Sequence, residues 1–329
     1  MPKKRHSSPP RTDNSPPAKR PRTVAPLPDN PLSFRREPRD TVQISTWNVA
    51  GLESCNAAKW GYGFRMYVEA DDPHILAITE VNETKDPEGT FESHPDFDFL
   101  RARYPYRYWA GRTAVLSKFR PQGPAVYGFP DGKYYSKKDA AARAITVEFK
   151  EFYLLATYVP NSGANFTNLD RRKDWAADFE AYIRALDDKK PVVWCGDFNV
   201  VRTTSPTSGV SHDLQRDVNF GRVSGTHRDE LAAHERLLGP QPWLQNPKRP
   251  GPLFVDVWRR IYGDKKRQYT HDSKKFGGFR IDGFICSERF LHHVRKCEIR
   301  YAVKDKYSVG VGALSDHWPV MLSLELEEP

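Results

Sequence analysis

The sequence predicts an α/β fold, on three observations. From Asp40 onward, short runs of β-branched and aromatic residues alternate with stretches whose apolar residues fall at helical spacing. Some of those runs, ILAIT at 75–79 and PVVWCG at 191–196, are apolar without alternation, as strands covered on both faces are. The first 39 residues show no such pattern, so the fold is expected to occupy 40–329 as one unit behind a tail.

The tail is read from composition. Residues 1–39 hold ten basic and three acidic side chains, a net of +7 out of +9 for the 329-residue chain, together with ten prolines. So little apolar surface cannot offset the entropy of ordering it, and the segment is expected to be disordered. Its clusters PKKR at 2–5 and KRPR at 19–22, separated by a Ser/Pro spacer, have the pattern of a two-part nuclear-import signal. The expectation is therefore a nuclear protein with an import receptor as partner; a solvated basic tail that holds nucleic acid loosely is the plainer alternative.

The elements follow in order. Val42 and Ile44 lead a first strand into TWNVAGL at 46–52, and Trp60, Phe64, Tyr67 and Val68 mark a helix that stops at Asp71-Asp72-Pro73. ILAIT at 75–79 and TAVLS at 113–117 read as strands, and AITVEF at 144–149 with FYLLATYV at 152–159 as a hairpin. Trp175, Phe179, Tyr182, Ile183 and Leu186 put one apolar face on a helix over 170–188. After PVVWCG come a polar Gly/Ser-rich stretch at 201–228, a helix over 229–238, the segment FVDVWRRIY at 254–262, and strands near 279–286 and 299–303. Val320, Leu322, Leu324 and Leu326 alternate with polar residues in a terminal strand.

Composition excludes some classes. The longest apolar runs fall far short of the ~20 residues that span a bilayer, so no membrane association is expected. Cys55, Cys195, Cys286 and Cys297 have no zinc-type spacing and no secretory leader ahead of them, which suggests a reducing compartment.

Function is written in the polar residues at strand ends. Asn48, Glu80, Asn161, Asp197, Asn199, Asp282 and the pair Asp316-His317 each lie at or just past an apolar run. Taken singly, an Asp or Asn there is usually a turn former. Together they offer oxygen ligands for a hard divalent cation, donors for a phosphate and a base.

The motifs TWNVAGL at 46–52, ILAITE at 75–80, ATYVPNSG at 156–163, WCGDFNV at 194–200, FRIDGFICS at 279–287 and ALSDHWPV at 313–320 occur in the order seen in exonuclease III-like AP endonucleases, a branch of the endonuclease/exonuclease/phosphatase superfamily that this chain resembles from about residue 40 to its end. The resemblance implies a four-layered α/β sandwich, two facing mixed sheets flanked by helices, with the site at one edge. It implies a monomeric Mg2+-dependent enzyme, Mn2+ being an alternative, that cuts double-stranded DNA 5' to an abasic site and also processes 3'-blocked ends. A different phosphodiesterase or phosphatase of the superfamily, or a silent nucleic-acid-binding protein, are the rival readings. By the same resemblance Glu80, Asn48 and Asp316 form the metal site, with Glu83 as a rival for Glu80. Asp197 and Asn199 handle the attacking water, His317 paired with Asp282 donates to the phosphate, and Tyr158 and Asn161 complete its cradle.

The chain departs from the family pattern at Ala50 beside the metal site, at Ala164 where some members carry an Arg, and at His271 and Phe279 around the presumed sugar pocket. For DNA binding the expected residues are Lys274, Lys275, Phe276, Phe279 and Arg280, a basic loop with aromatics just before the strand of Asp282. Arg171, Arg172, Lys173, Arg216, Arg222 and Arg228 are further basic candidates.

Overall fold

The computed structural model describes residues 25–27, 30, 32–35, 38, 40–61, 63–81, 87–202, 211–238, 254–263, 265–301 and 314–326. The two basic clusters and Glu83 lie outside the described residues.

The described strands are β1 Thr41–Asn48, β2 Ile75–Thr79, β3 Tyr106–Trp109, β4 Thr113–Ser117, β5 Val126–Tyr127, β6 Ala144–Glu148, β7 Tyr153–Tyr158, β8 Val192–Asp197, β9 Phe254–Asp256, β10 His271–Ser273, β11 Gly277–Phe279, β12 Asp282–Ser287, β13 Val294–Ile299 and β14 Val320–Glu325. The helices are α1 Leu52–Gly61, α2 Gly63–Asp71, α3 Pro87–Ser93, α4 Asp98–Arg103, α5 Lys137–Arg143, α6 Leu169–Asp187, α7 Arg228–Leu238 and α8 Val257–Tyr262. One sheet has the order β13-β14-β1-β2-β4-β3 and the other β5-β6-β7-β8-β12-β9, while β10 and β11 form a small ribbon. Both large sheets are mixed: β1 runs parallel to β2 and β7 to β8, and their other pairings are antiparallel.

Period-2 alternation explains the layers. Val42, Ile44, Ile75, Ala77 and Val115 point from the first sheet into a shared core with Ile145, Val147, Leu154, Ala156, Val193 and Phe284 from the second. The other face of the first sheet, Trp47, Leu76, Ile78 and Leu116, packs on Leu52, Phe64, Tyr67, Phe99 and Leu100 of α1, α2 and α4. The outer face of the second, Leu155, Trp194 and Ile285, is covered by Trp175, Phe179, Ile183 and Leu186 of α6 and Leu231 and Leu237 of α7. Helix, sheet, sheet, helix is the expected four-layered sandwich.

Two expectations shift, and three short helices are added. The strand sought near 299–303 lies earlier, at β13, where Cys297 is the inward residue opposite Leu322. The short helices α3, α4 and α5 were not visible as periodic patterns, because each spans seven residues or fewer. The packed unit also starts before Asp40. Leu27 N–H donates to Glu69 at 2.8 Å, the Asn30 amide donates to the Met66 carbonyl at 2.8 Å, and Leu32 is buried on the α2 side. Phe34 meets Tyr67 edge-on at 6.1 Å and carries Arg300 over its ring at 4.8 Å. Among the described residues no helix is long and apolar enough to cross a membrane.

Candidate active site

Strand direction gathers the polar residues at one edge. The C-terminal ends of β1, β2, β7 and β8 bring Asn48, Glu80, Tyr158 and Asp197, with Asn161 and Asn199 just beyond them. The strands β12 and β14 run antiparallel to their neighbours, so it is their starts that reach this edge: Asp282 lies opposite Asp197, and Val320, three residues after His317, lies opposite Thr46. The chain leaves these strands through strained turns. Ala50, Glu80 and Asn199 have φ of 47°, 52° and 46°, the left-handed region that side chains disfavour. Gly196 is needed for another reason: a Cβ there would stand 2.0 Å from the Thr157 carbonyl oxygen on β7.

Asn48, fully buried, links the two sheets. Its amide N–H donates to Glu80 Oε1 at 2.9 Å and to Asp197 Oδ2 at 3.0 Å, and its Oδ1 accepts from Ala50 N–H at 3.0 Å. Its oxygen is turned to the Ala50 backbone, and its nitrogen orients the two carboxylates. Asp197 Oδ1 accepts the Asn199 N–H at 2.9 Å, Asn199 Nδ2 donates to the Val159 carbonyl at 2.9 Å, and Asn161 Nδ2 donates to Asn199 Oδ1 at 3.0 Å. Burial and the neighbouring Asp282 push the Asp197 carboxyl well above the ordinary carboxylate range, although His317 and the Asn199 N–H act the other way.

His317 is oriented through Nδ1, 2.8 Å from Asp282 Oδ2. Burial disfavours the imidazolium, yet the contact with Asp282 and the charges of Asp197 and Asp316 outweigh it and push His317 to about 10. Thr270 Oγ donates to Asp282 Oδ2 at 2.7 Å and accepts the Asp282 N–H at 3.0 Å. Ser315 Oγ donates to the Asn48 carbonyl at 2.7 Å and accepts the His317 N–H at 3.0 Å. Tyr158 is hydrogen-bonded to Glu80; burial, Glu80 and Asp197 raise its hydroxyl far above the usual value, so it stays a neutral donor. Asp316 goes the other way. Burial would raise it, but a hydrogen bond from His271 and the charges of His317 and His271 hold it at about 2.

These groups line one cavity of about 620 Å³, with Glu80, Tyr158, Asn161, Asp197, Asn199, Asp316 and His317 on its walls. Glu80 and Asp316 present carboxylates to it, and Asp282 Oδ1 is buried without a hydrogen-bond partner. Accessible carboxylates backed by donors fit a hard divalent cation.

The expected DNA contacts divide. Lys275, Phe276 and Phe279 line the cavity, and Lys275 lies over the Phe276 ring at 4.9 Å, while Lys274 is exposed on the turn joining β10 and β11. Arg280 is corrected: it is buried, donates to Asp213 at 2.8 and 2.7 Å and to Asp256 at 2.5 Å, and stacks on Trp258 at 5.1 Å. Arg171 is tied to Asp139 and Arg172 is buried, whereas Arg222 and Ala164 line the cavity. Sequence reasoning missed Thr270, Ser315, and Arg143, whose guanidinium lies over the Tyr158 ring at 4.8 Å. Ser315 lies inside the motif ALSDHWPV at 313–320 but was given no role there, whereas Thr270 and Arg143 have no local signal, since only the tertiary fold brings them to the site.

Against known proteins, the model of the endonuclease/exonuclease/phosphatase family matches residues 45–317. The DNA repair nuclease APEX1 of Danio rerio is 31% identical over 86% of this chain and 82% of its own length. A DNA-(apurinic or apyrimidinic site) endonuclease of Dictyostelium discoideum is 28% identical over 87% of this chain and 71% of its own, and an exodeoxyribonuclease of Bacillus subtilis is 28% identical over 87% and 100%. Among solved structures, an AP endonuclease from Archaeoglobus fulgidus superposes with a TM-score of 0.64 at 20% identity, covering 87% of this chain and 100% of that one. At that identity the likeness speaks for the fold.

Proposed function

Because the chain belongs to the endonuclease/exonuclease/phosphatase family, we propose that it is a metal-dependent DNA repair hydrolase that cuts the phosphodiester 5' to an abasic site. The observation that carries this is the union of Asp197, Asn199, Asn161, Tyr158, Asp282 and His317 with the carboxylates of Glu80 and Asp316 at one cavity, beside one relative named as a DNA repair nuclease and another named for abasic-site cleavage.

In this reading Glu80 and Asp316 hold Mg2+, or Mn2+ in its place, with Asn48 fixing the Glu80 carboxylate. When bound, that cation supplies positive charge against the phosphate oxygens. Asp197, a carboxylate made more basic by burial, orients the attacking water and takes its proton. Asn199 keeps Asp197 in place, and Asn161 Nδ2 and the Tyr158 hydroxyl donate toward the phosphate. His317, kept protonated by Asp282, donates from Nε2 to an oxygen that gains charge in the transition state. Each such donor contributes about 3–4 kcal/mol in a dry site. Lys274, Lys275, Phe276 and Phe279 flank the cavity where a DNA backbone and an unstacked sugar would lie. The Bacillus relative is named an exodeoxyribonuclease, which supports trimming of DNA ends by the same groups, here taken to be 3' ends. The basic clusters of the tail support nuclear import, and DNA is the partner this site needs.

The test is a duplex with one abasic analogue. Wild-type protein with Mg2+ is expected to incise it, chelator to stop incision, and Asp197→Asn to bind the duplex without cutting. Turnover by Asp197→Asn at the wild-type rate would remove Asp197 from the role given to it.

A further inference from the structure

One wall of the cavity combines ligand types that the hydrolysis above does not use together. Donor atoms of His271, Asp316 and His317 lie within 4.8 Å of one another. His271 Nε2 is 3.4 Å from Asp316 Oδ2, and His317 Nε2 is 3.9 Å from Asp316 Oδ1. Backbone pairing fixes the group: His271 bridges to His317, and Asp272 N–H donates to the Asp316 carbonyl at 3.0 Å, which sets the two imidazoles 4.5 Å apart. Behind the site, Asp282 engages His317 Nδ1 at 2.8 Å and leaves Nε2 free toward the cavity. A carboxylate behind an imidazole is the arrangement that orients ligating histidines. His271 contributes a second imidazole, whose Nδ1 is buried without a hydrogen-bond partner.

Two imidazoles and one carboxylate around an open fourth position suit a tetrahedral late first-row cation. Mg2+ prefers six oxygen ligands and loses its waters reluctantly, so the carboxylates and not this set suit it. We propose that His271, Asp316 and His317 form a second cation site, selective for Zn2+ over Mg2+, sharing Asp316 with the Glu80 side of the cavity. Uptake needs an unprotonated Nε2 on His317, so the cation takes the place of that proton. Zinc held there withdraws the donor that the proposed hydrolysis assigns to the phosphate, and Zn2+ therefore inhibits cleavage. That consequence rests on the functional reading; the site itself does not.

The experiment is equilibrium dialysis of the full-length protein with ZnCl2 under excess MgCl2, with Co2+ as a spectroscopic probe. Wild type and Glu80→Gln are expected to retain about one zinc per chain. His271→Phe and His271→Gln are expected to bind it about tenfold or more weakly. In wild type the Co2+ absorption should show a four-coordinate site with nitrogen ligands. Wild type that retains no zinc, a Co2+ spectrum of a six-coordinate all-oxygen site, or a folded His271 variant that binds like wild type would each overturn the proposal. Zinc retention in protein that never cuts an abasic duplex would leave this site standing and remove the functional reading instead.

Discussion

Asp282 decides what His317 can do. A buried imidazole alone would lose its proton, and the carboxylate 2.8 Å away keeps it. Asp282→Asn should therefore lower kcat about a hundredfold or more while KM for DNA changes little, a split that steady-state kinetics resolves. An unchanged kcat would reduce the pair to a structural contact. Glu80→Gln should raise the Mg2+ concentration needed for half-maximal rate, because one of two accessible carboxylates is lost; if the requirement does not move, the cation is held elsewhere. Most of these side chains were legible in the sequence, since Asn48, Glu80, Asp197 and His317 each follow or precede an apolar run. Arg280 was misread for a physical reason. A cation beside a site reads as surface charge, and the carboxylates that capture it, Asp213 and Asp256, are 67 and 24 residues away.

At the scale of elements, the site depends on where strands begin and end. The start of β12 is tied to β9 and α8 by the contacts of Arg280, which sits just ahead of Asp282, with Asp213, Asp256 and the Trp258 face. Asp213 also pairs with Arg259, so losing its charge takes one carboxylate partner from two buried guanidinium groups. Asp213→Asn should cost about 3–5 kcal/mol in chemical denaturation. A loss below about 0.5 kcal/mol would mean that the network holds nothing. The helices α6 and α7 were readable from their apolar faces, whereas the ribbon of β10 and β11 was not, because three-residue strands carry too few alternations to register.

Over the whole molecule, most of the net charge lies in the first 39 residues, yet their described part does more than trail. Leu32 and Phe34 pack on the α2 side, so deleting 1–24 should spare both stability and kcat while costing nuclear accumulation, and deleting 1–39 should also cost about 2–4 kcal/mol of stability. Equal melting temperatures for the two deletions would contradict the packing. His234 gives the fold a pH dependence. Burial, reinforced by Arg172, Arg202 and Arg280 against Asp256, holds it at about 3, below the ordinary imidazole value. The unfolded chain binds that proton first, so its stabilising contribution is complete above about pH 6.5 and is lost as pH falls toward the folded value. Between pH 7 and 5 this group alone should remove about 2 kcal/mol. His234→Gln should flatten that limb in denaturant titrations, and an unchanged slope would exclude it.

The hydrolytic assignment is tested most directly by mapping the ends made from a duplex that carries one abasic analogue, with Mg2+ present. A single incision on the 5' side of the lesion, leaving a 3'-hydroxyl and absent after chelation, is the predicted result. An abasic duplex left intact by protein that still trims 3'-blocked ends would contradict it.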